Sequence, residues 1–344
     1  MRMKKLRQYI GIIALLLVAG AVSSCVKENL PDSSSEKVNV TLNFDTRGGE
    51  TASVDTEKGE GIKTLRVIIT DENDKVIENI WKVYSSESLT TSKNLTVMGL
   101  EEGKKRFYVV INEGSIGLSK YLESITTEIP SDFLKKVIKN NVGSSYFPRI
   151  DSRIGDYGIP ATGMKEVNLS KTNNNFTIQC THAVIKVEVN IKNLMNVPCP
   201  ISAINFGEFV PDATYLFDND KPDADIKSVE WPEEASISSL DYNKDNGFSG
   251  VNLPANMSDF QKVLVFYMYE PKVTKSDDFS IALTAEGYES LSTPKSFISQ
   301  TEIPRNSLLK INATIDLQTE VKISKLSYEV LGWNSAFVEV PEFN

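Results

Sequence analysis

Histidine and cysteine, the side chains most used for nucleophilic and metal chemistry, number one and three in this 344-residue chain, and their spacing limits what each can do. The single histidine, His182, lies inside Thr181-His182-Ala183-Val184-Ile185. An imidazole works as a base or ligand only with partners at hand, and a lone one in a strand pattern reads as structural. The acidic stretch Asp218 to Asp225 invites calcium, but Lys221 and Pro222 fall where an EF-hand loop needs a ligand and its glycine. Asp241 to Gly247 opens with the right alternation. Its glycine is one place late, and Asn252 stands where the twelfth-position glutamate belongs. There is no Gly-x-Ser-x-Gly elbow, no phosphate loop and no Cys/His cluster, and no particular carboxylate pair stands out. Trp81, Trp231 and Trp333 are isolated, which suits core or edge positions better than a sugar platform. The residues therefore nominate no catalytic, cofactor-binding or metal site, and a non-enzymatic protein is expected.

The thiols say more. Arg2, Lys4, Lys5 and Arg7 precede an apolar run from Ile10 to Ala21, closed by Val22-Ser23-Ser24-Cys25. A basic start, a short apolar core and small residues before a cut make a secretory signal peptide over residues 1–24. The run is shorter than the roughly 20 residues of a bilayer-spanning helix. Val-Ser-Ser-Cys resembles the bacterial lipobox, in which the cysteine thiol is acylated and begins the mature protein, so Cys25 is the expected lipid anchor. The alternative is an ordinary cut near Ala21 or Ser24. Cys180 and Cys199 remain, in a compartment that permits a bridge. An unbroken strand between them would hold them about 40 Å or more apart, so a pair needs the strand to break.

Net charge is −9 with the four basic leader residues counted, and no negative residue is lost with them. A mature chain more acidic still excludes nucleic acid as a partner, because phosphate binding needs a basic face. It suits a soluble surface protein.

The elements that would position anything here are mostly strands. Residues 25–36 are polar and serine-rich, a flexible tether. Then Val38, Val40, Leu42 and Phe44 alternate strictly with Asn39, Thr41, Asn43 and Asp45, ending at Thr46-Arg47-Gly48-Gly49. Strand patterns follow at Leu65–Thr70, Val76–Val83, a short Leu95–Met98 and Arg106–Ile111. Helical spacing occurs only before Pro148, at Leu118–Ile125 and Asp132–Ile138, with Ser131 or Asp132 as N-cap. A domain boundary is expected at Ser170–Asn175. Beyond it, Phe176–Ile191 reads as one long strand and Val263–Tyr269 as a strand covered on both faces. Ser280–Ala285, Leu309–Leu317 and Val321–Leu331 also read as strands. Ala336, Val338 and Val340 share one face of a last extended segment. The expected fold is mainly β: two tandem β-sandwiches over 37–169 and 170–344, with one or two short helices in the first.

Several stretches together resemble the Bacteroidetes fimbrillin family, the type V pilins. They are the lipobox leader and Val38-Asn39-Val40-Thr41-Leu42-Asn43-Phe44-Asp45-Thr46-Arg47, then Ile62 to Ile69 and Phe107-Tyr108-Val109-Val110-Ile111-Asn112-Glu113. Ile159-Pro160-Ala161-Thr162-Gly163-Met164, Val184 to Val189 and Phe266-Tyr267-Met268-Tyr269-Glu270-Pro271 follow in family order. His182 departs from the pattern, standing where an arginine is common.

The resemblance implies two transthyretin-like sandwiches and a route to polymerisation. The subunit reaches the outer membrane as a lipoprotein. An arginine-specific protease then cuts after Arg47, before Gly48, and removes lipid and first strand (37–47) together. The groove left by Val38, Val40, Leu42 and Phe44 accepts the tail of another copy or a related subunit, with Ala336, Val338 and Val340 as the donor face within about 321–344. Those three are smaller than the residues they replace, so the donor needs further residues, such as Val321–Leu331, or a reshaped groove. The expected product is an adhesive cell-surface fimbrium. Its alternatives are a pilus anchor that keeps its lipid and a surface glycan-binding lipoprotein.

Overall fold

The computed structural model describes residues 36–46, 61–85, 89–139, 149–217, 231–317 and 320–332. The chain is mainly β, as expected, and its strands form two sandwiches. In the first, β1 (Lys37–Asp45) lies between β4 (Ser92–Glu101) and β8 (Asn175–Gln179). Facing this layer is a sheet in the order β3 (Val76–Val83), β2 (Thr64–Thr70), β5 (Gly103–Ile111), β7 (Ala161–Leu169) and β9 (Thr181–His182). Val38, Val40, Leu42 and Phe44 pack between the layers with Leu65, Val67, Ile69, Phe107, Val109 and Ile111. Alternation of side chains along each strand makes this possible, since every second residue faces the partner layer.

The five-stranded sheet is buried on its other face too. Ile68, Tyr108 and Val110 meet Leu122 of α1 (Ser119–Glu123), Ile154 of α2 (Arg149–Tyr157), Phe133, Phe217 and Tyr267. Phe133 stands edge-on to Tyr108, 5.4 Å between ring centroids, and 5.3 Å from Phe217. Double burial explains why β2 and β5 read as nearly continuous apolar runs.

In the second sandwich one sheet runs β15 (Gln261–Met268), β10 (Ile185–Asn193), β18 (Ser307–Leu317), β19 (Val321–Gly332). The other holds β11 (Cys199–Pro211), with β13 (Ile237–Tyr242) and β14 (Val251–Leu253) on one side and β16 (Ser280–Ala285) then β17 (Lys295–Ser296) on the other. Along β15, Phe266 and Met268 enter this sandwich's core, while Tyr267 and the following Tyr269 enter the cluster beside the first sandwich. The expectation of a doubly covered strand holds for that half of β15; Gln261 and Lys262 are exposed.

Five expectations are corrected. Phe176–Ile191 is not one strand. β8 pairs with β1, β9 with β7, and β10 with β15 and β18, so the chain crosses between sandwiches at the buried Ala183-Val184. That crossing is later than Ser170–Asn175, where the boundary was expected. Asp132–Ile138 is not an α-helix: a single 3₁₀ turn at Phe133–Lys135 gives way to β6 (Val137–Lys139), which pairs with β12 (Ala213–Tyr215). A partner strand some 75 residues away overrides the local helical spacing. Asp132 holds the N-cap position, but its side chain makes no cap bond. Helix also occurs beyond Pro148, in α2, and β4 runs well past Leu95–Met98 because it pairs along all of β1.

Candidate functional site

Of the residues singled out in the sequence, Val38, Val40, Leu42 and Phe44 lie on β1. Its four apolar side chains are no more than 4% exposed. Antiparallel pairing sets Val38 opposite Leu100, Val40 opposite Val97, Leu42 opposite Leu95 and Phe44 opposite Lys93, with an irregularity between Val38 and Val40. On the other side β1 runs parallel to β8, Leu42 beside Phe176 and Phe44 beside Ile178. The Thr41 amide donates to Asn174 O at 2.8 Å, and the amide of Cys180 donates to Asp45 O at 3.0 Å. At the polar rim Asn43 Nδ2 donates to Asn175 Oδ1 at 3.0 Å, the Gly99 amide donates to Asn39 Oδ1 at 3.1 Å, and Glu36 pairs with Lys171. β1 is thus an interior strand of its layer, hydrogen-bonded along both edges.

Cys180 closes one end of this arrangement. It is fully buried in the first core, and burial, then the carboxylate of Asp45, pushes its thiol above the usual range. Cys199 lies in the other core, its thiol pushed up to about 11 by burial. Both thiols are free. Separate cores keep them apart, because the strand between them breaks into two sandwiches instead of folding back. His182 is buried, with Nδ1 2.8 Å from Asn306 Oδ1. Asp241 to Gly247 forms a capped 3₁₀ turn, in which Asn243 Oδ1 accepts from the Asp245 amide at 2.9 Å.

Among the described residues, 321–332 is held at home: β19 pairs with β18 from Val321 opposite Leu317 to Gly332 opposite Ser307, burying Ile323 and Tyr328. Cys25, Arg47, Gly48, Ala336, Val338 and Val340 lie outside the described residues, as does the acidic loop at 218–225.

Sequence reasoning missed the polar groups that hold the frame around β1. The Asn112 side chain accepts from the amides of Lys63 (2.8 Å) and Thr64 (3.1 Å), and donates to Gly61 O (3.1 Å) and Ile159 O (2.9 Å). Next to it, Glu113 takes a two-point contact from Arg66, at 2.6 and 2.8 Å. Glu270, from the Phe-Tyr-Met-Tyr-Glu stretch, pairs in full burial with Arg305 and accepts from the Thr214 hydroxyl, while Arg305 Nη2 also donates to Tyr215 O at 2.8 Å. A buried charge is costly unless it is paired and hydrogen-bonded. The Arg66–Glu113 pair therefore ties β2 to the end of β5, and the Glu270–Arg305 pair fixes how β12, the end of β15 and the chain before β18 meet. In Ile159-Pro-Ala-Thr-Gly-Met, Gly163 has a reason as well: a Cβ there would come within 2.5 Å of Gln179 O and 2.9 Å of Cys180 Sγ, where β7 passes under the end of β8.

No protein-family model matches the chain, and no curated protein matches its sequence. Solved structures do match its fold. A candidate cell adhesion protein from Parabacteroides distasonis aligns with 89% of this chain and 99% of its own, at TM-score 0.55 and 14% identity. The tip fimbrial protein Mfa3 of Porphyromonas gingivalis, in a C-terminally truncated form, aligns with 86% of this chain and all of its own (100%), at TM-score 0.52 and 14% identity. A fimbrilin (FimA) of the same organism aligns with 87% and 98%, at TM-score 0.51 and 12% identity. The chain has the fold of Bacteroidetes fimbrial and cell-adhesion proteins, across nearly the full length of both partners.

Proposed function

We propose that this protein is a structural subunit of a cell-surface fimbrium, made as an outer-membrane lipoprotein and polymerised by exchange of its first strand. The observation that carries the reading is the place of β1, an interior strand whose four apolar side chains fill one core. Release of β1 uncovers that core and leaves both β4 and β8 with unpaired edges, a template for strand addition. Refilling four side-chain positions is worth roughly 6–12 kcal/mol, at about 1.5–3 each, and the ladder bonds add to it. The fold shared with fimbrial proteins supports the same conclusion. The role is mechanical and adhesive, with no catalytic step.

In this reading Cys25 carries the lipid that holds the precursor, and an arginine-specific protease cuts between Arg47 and Gly48. The donor is the tail after β19. Since 321–332 pairs within its own sheet, residues 333–344 do the work: twelve residues span about 40 Å when extended, and the nine of β1 about 30 Å. Partners are further copies of this chain and related subunits.

Mass spectrometry of surface filaments tests the reading. The subunit is expected to start at Gly48, and Arg47→Ala is expected to leave a lipidated monomer. Filament subunits that still begin at Cys25 would overturn the processing step and favour a lipid-retaining anchor.

A further inference from the structure

The five-stranded sheet has an edge that strand exchange leaves unused. On β3, Trp81 is 51% exposed, an unusual amount for the largest side chain. Register places Trp81 opposite Arg66 and Asn79 opposite Ile68, so Trp81 and Asn79 share the face turned away from β1. α1 runs along this edge and presents Ser119 and Glu123, four residues apart and on one side of the helix. Strand and helix enclose a cleft of about 340 Å³, with Thr126 at its rim and Arg66 and Glu113 at its base.

The base is rigid. Arg66 is 6% exposed and Glu113 2%. Arg66 Nη1 donates to Asn79 Oδ1 at 2.9 Å, and Asn79 Nδ2 donates to the carbonyls of Leu122 and Ile125, both at 2.8 Å. One network therefore locks the strand that carries Trp81 to the helix that carries Ser119 and Glu123. A guanidinium has five N–H groups, and the bonds to Glu113 and Asn79 occupy three of them.

We propose that this cleft binds a neutral, hydroxyl-rich ring: a pyranose unit of a glycan. A pyranose has one face of C–H groups, which stacks on an exposed indole, and a rim of hydroxyls that need donors and acceptors. Trp81 supplies the apolar wall. The Glu123 carboxylate, the hydroxyls of Ser119 and Thr126 and the remaining Arg66 N–H groups supply the polar one. The charges argue against an anionic ligand. Glu113 neutralises Arg66, and Glu123 at the entrance leaves the lining net negative, which repels anions. The volume lies at the small end of the roughly 300–1,000 Å³ of ligand pockets, which fits one ring. The inference does not depend on polymerisation, because the cleft and β1 lie on opposite faces of the sheet.

Saturation-transfer NMR tests it, using the purified full chain in a detergent without a sugar headgroup. Free glucose, galactose, mannose, fucose, N-acetylglucosamine and N-acetylgalactosamine serve as separate probes. At least one is expected to receive saturation, strongest on the protons of one ring face. Trp81→Ala is expected to weaken that binding about tenfold or more and Glu123→Gln severalfold, with Trp81→Phe keeping most of it. Thermal melts confirm that each variant is folded. If none of the six sugars receives saturation, or the signal persists undiminished in Trp81→Ala, the proposal fails. Should Trp81→Ala not fold, the surface substitution Glu123→Gln decides, and an undiminished signal there also overturns it. Filament formation is unaffected in every case, so a failure here leaves the strand-exchange reading standing.

Discussion

The two sandwiches solve the same packing problem with different materials. Among the described residues, the second core is rich in rings: Phe206 packs 5.2 Å from Phe266, Tyr242 5.0 Å from Phe266, and Phe209 5.0 Å from Phe279. All of its sheet partners come from one continuous stretch, Ile185 to Gly332. The first core is chiefly aliphatic, with Phe44 and Phe107 as its fully buried rings. It also draws four of its side chains from a strand at the very start of the described fold. Offset and edge-on ring pairs demand particular geometry, whereas aliphatic positions tolerate exchange for others of similar volume. The difference teaches where replacement is feasible: an aliphatic core suits the exchange of a strand proposed above, and an aromatic one would hold its shape meanwhile.

Thiol labelling gives the largest contrast. In the uncut chain at pH 8, both Cys180 and Cys199 are expected to react at least about a hundredfold more slowly than a free cysteine, because each is buried with a raised pKa. Cutting after Arg47 and releasing β1 is expected to make Cys180 reactive and leave Cys199 protected, with peptide mapping as the readout. Equal behaviour of the two thiols after release would break the comparison. Phe209→Ala comes next, with a loss of about 3–5 kcal/mol in denaturant melts, before and after cleavage alike. Leu42→Ala is expected to cost about 2–5 kcal/mol in the uncut chain and, if processing removes β1 as proposed, nothing in the assembled subunit.

The smallest effect belongs to the surface of the first sandwich. Lys104, at 2.7 Å, and Arg106, at 2.9 Å, hold the Glu166 carboxylate below its usual range. A depressed carboxylate stabilises the fold above its unfolded pKa, and that contribution fades as pH falls through the folded value. Glu166→Gln is therefore expected to cost about 0.2–1 kcal/mol near pH 7. The difference from wild type should begin to shrink in melts as pH falls into the ordinary glutamate range and vanish only below the lowered value of Glu166.

What the sequence revealed divides along physical lines. β1 and β18 were legible because one face of each is buried and the other wet, so strict alternation survives in the residues themselves. The stretches resembling the fimbrillins marked Asn112, Glu113, Gly163 and Glu270 without giving a reason for any of them. The reasons are long-range: Glu113 answers Arg66 and Glu270 answers Arg305, partners that no local period reveals. β6 was hidden because only pairing with β12 makes it a strand. α2 was hidden because Ile150 and Ile154 are a thin apolar signal beside Gly155. Trp81 was read as an isolated ring, since its neighbours in the cleft come from a helix some 40 residues on.

If β1 is exchanged as proposed, the strands on either side of it bear on how subunits would join. β4 lies antiparallel to β1 and β8 lies parallel to it, so the two walls run in opposite directions. A guest ribbon threaded either way round therefore finds one ladder of each kind, and backbone bonding discriminates only through the greater length of the β4 ladder. Side-chain volume gives a second reading of polarity. The side chains that β1 contributes grow from valine at Val38 and Val40 to phenylalanine at Phe44, and a replacing ribbon graded in the same sense would pack best. The orientation of each link would thus be biased by a gradient in side-chain size across nine residues.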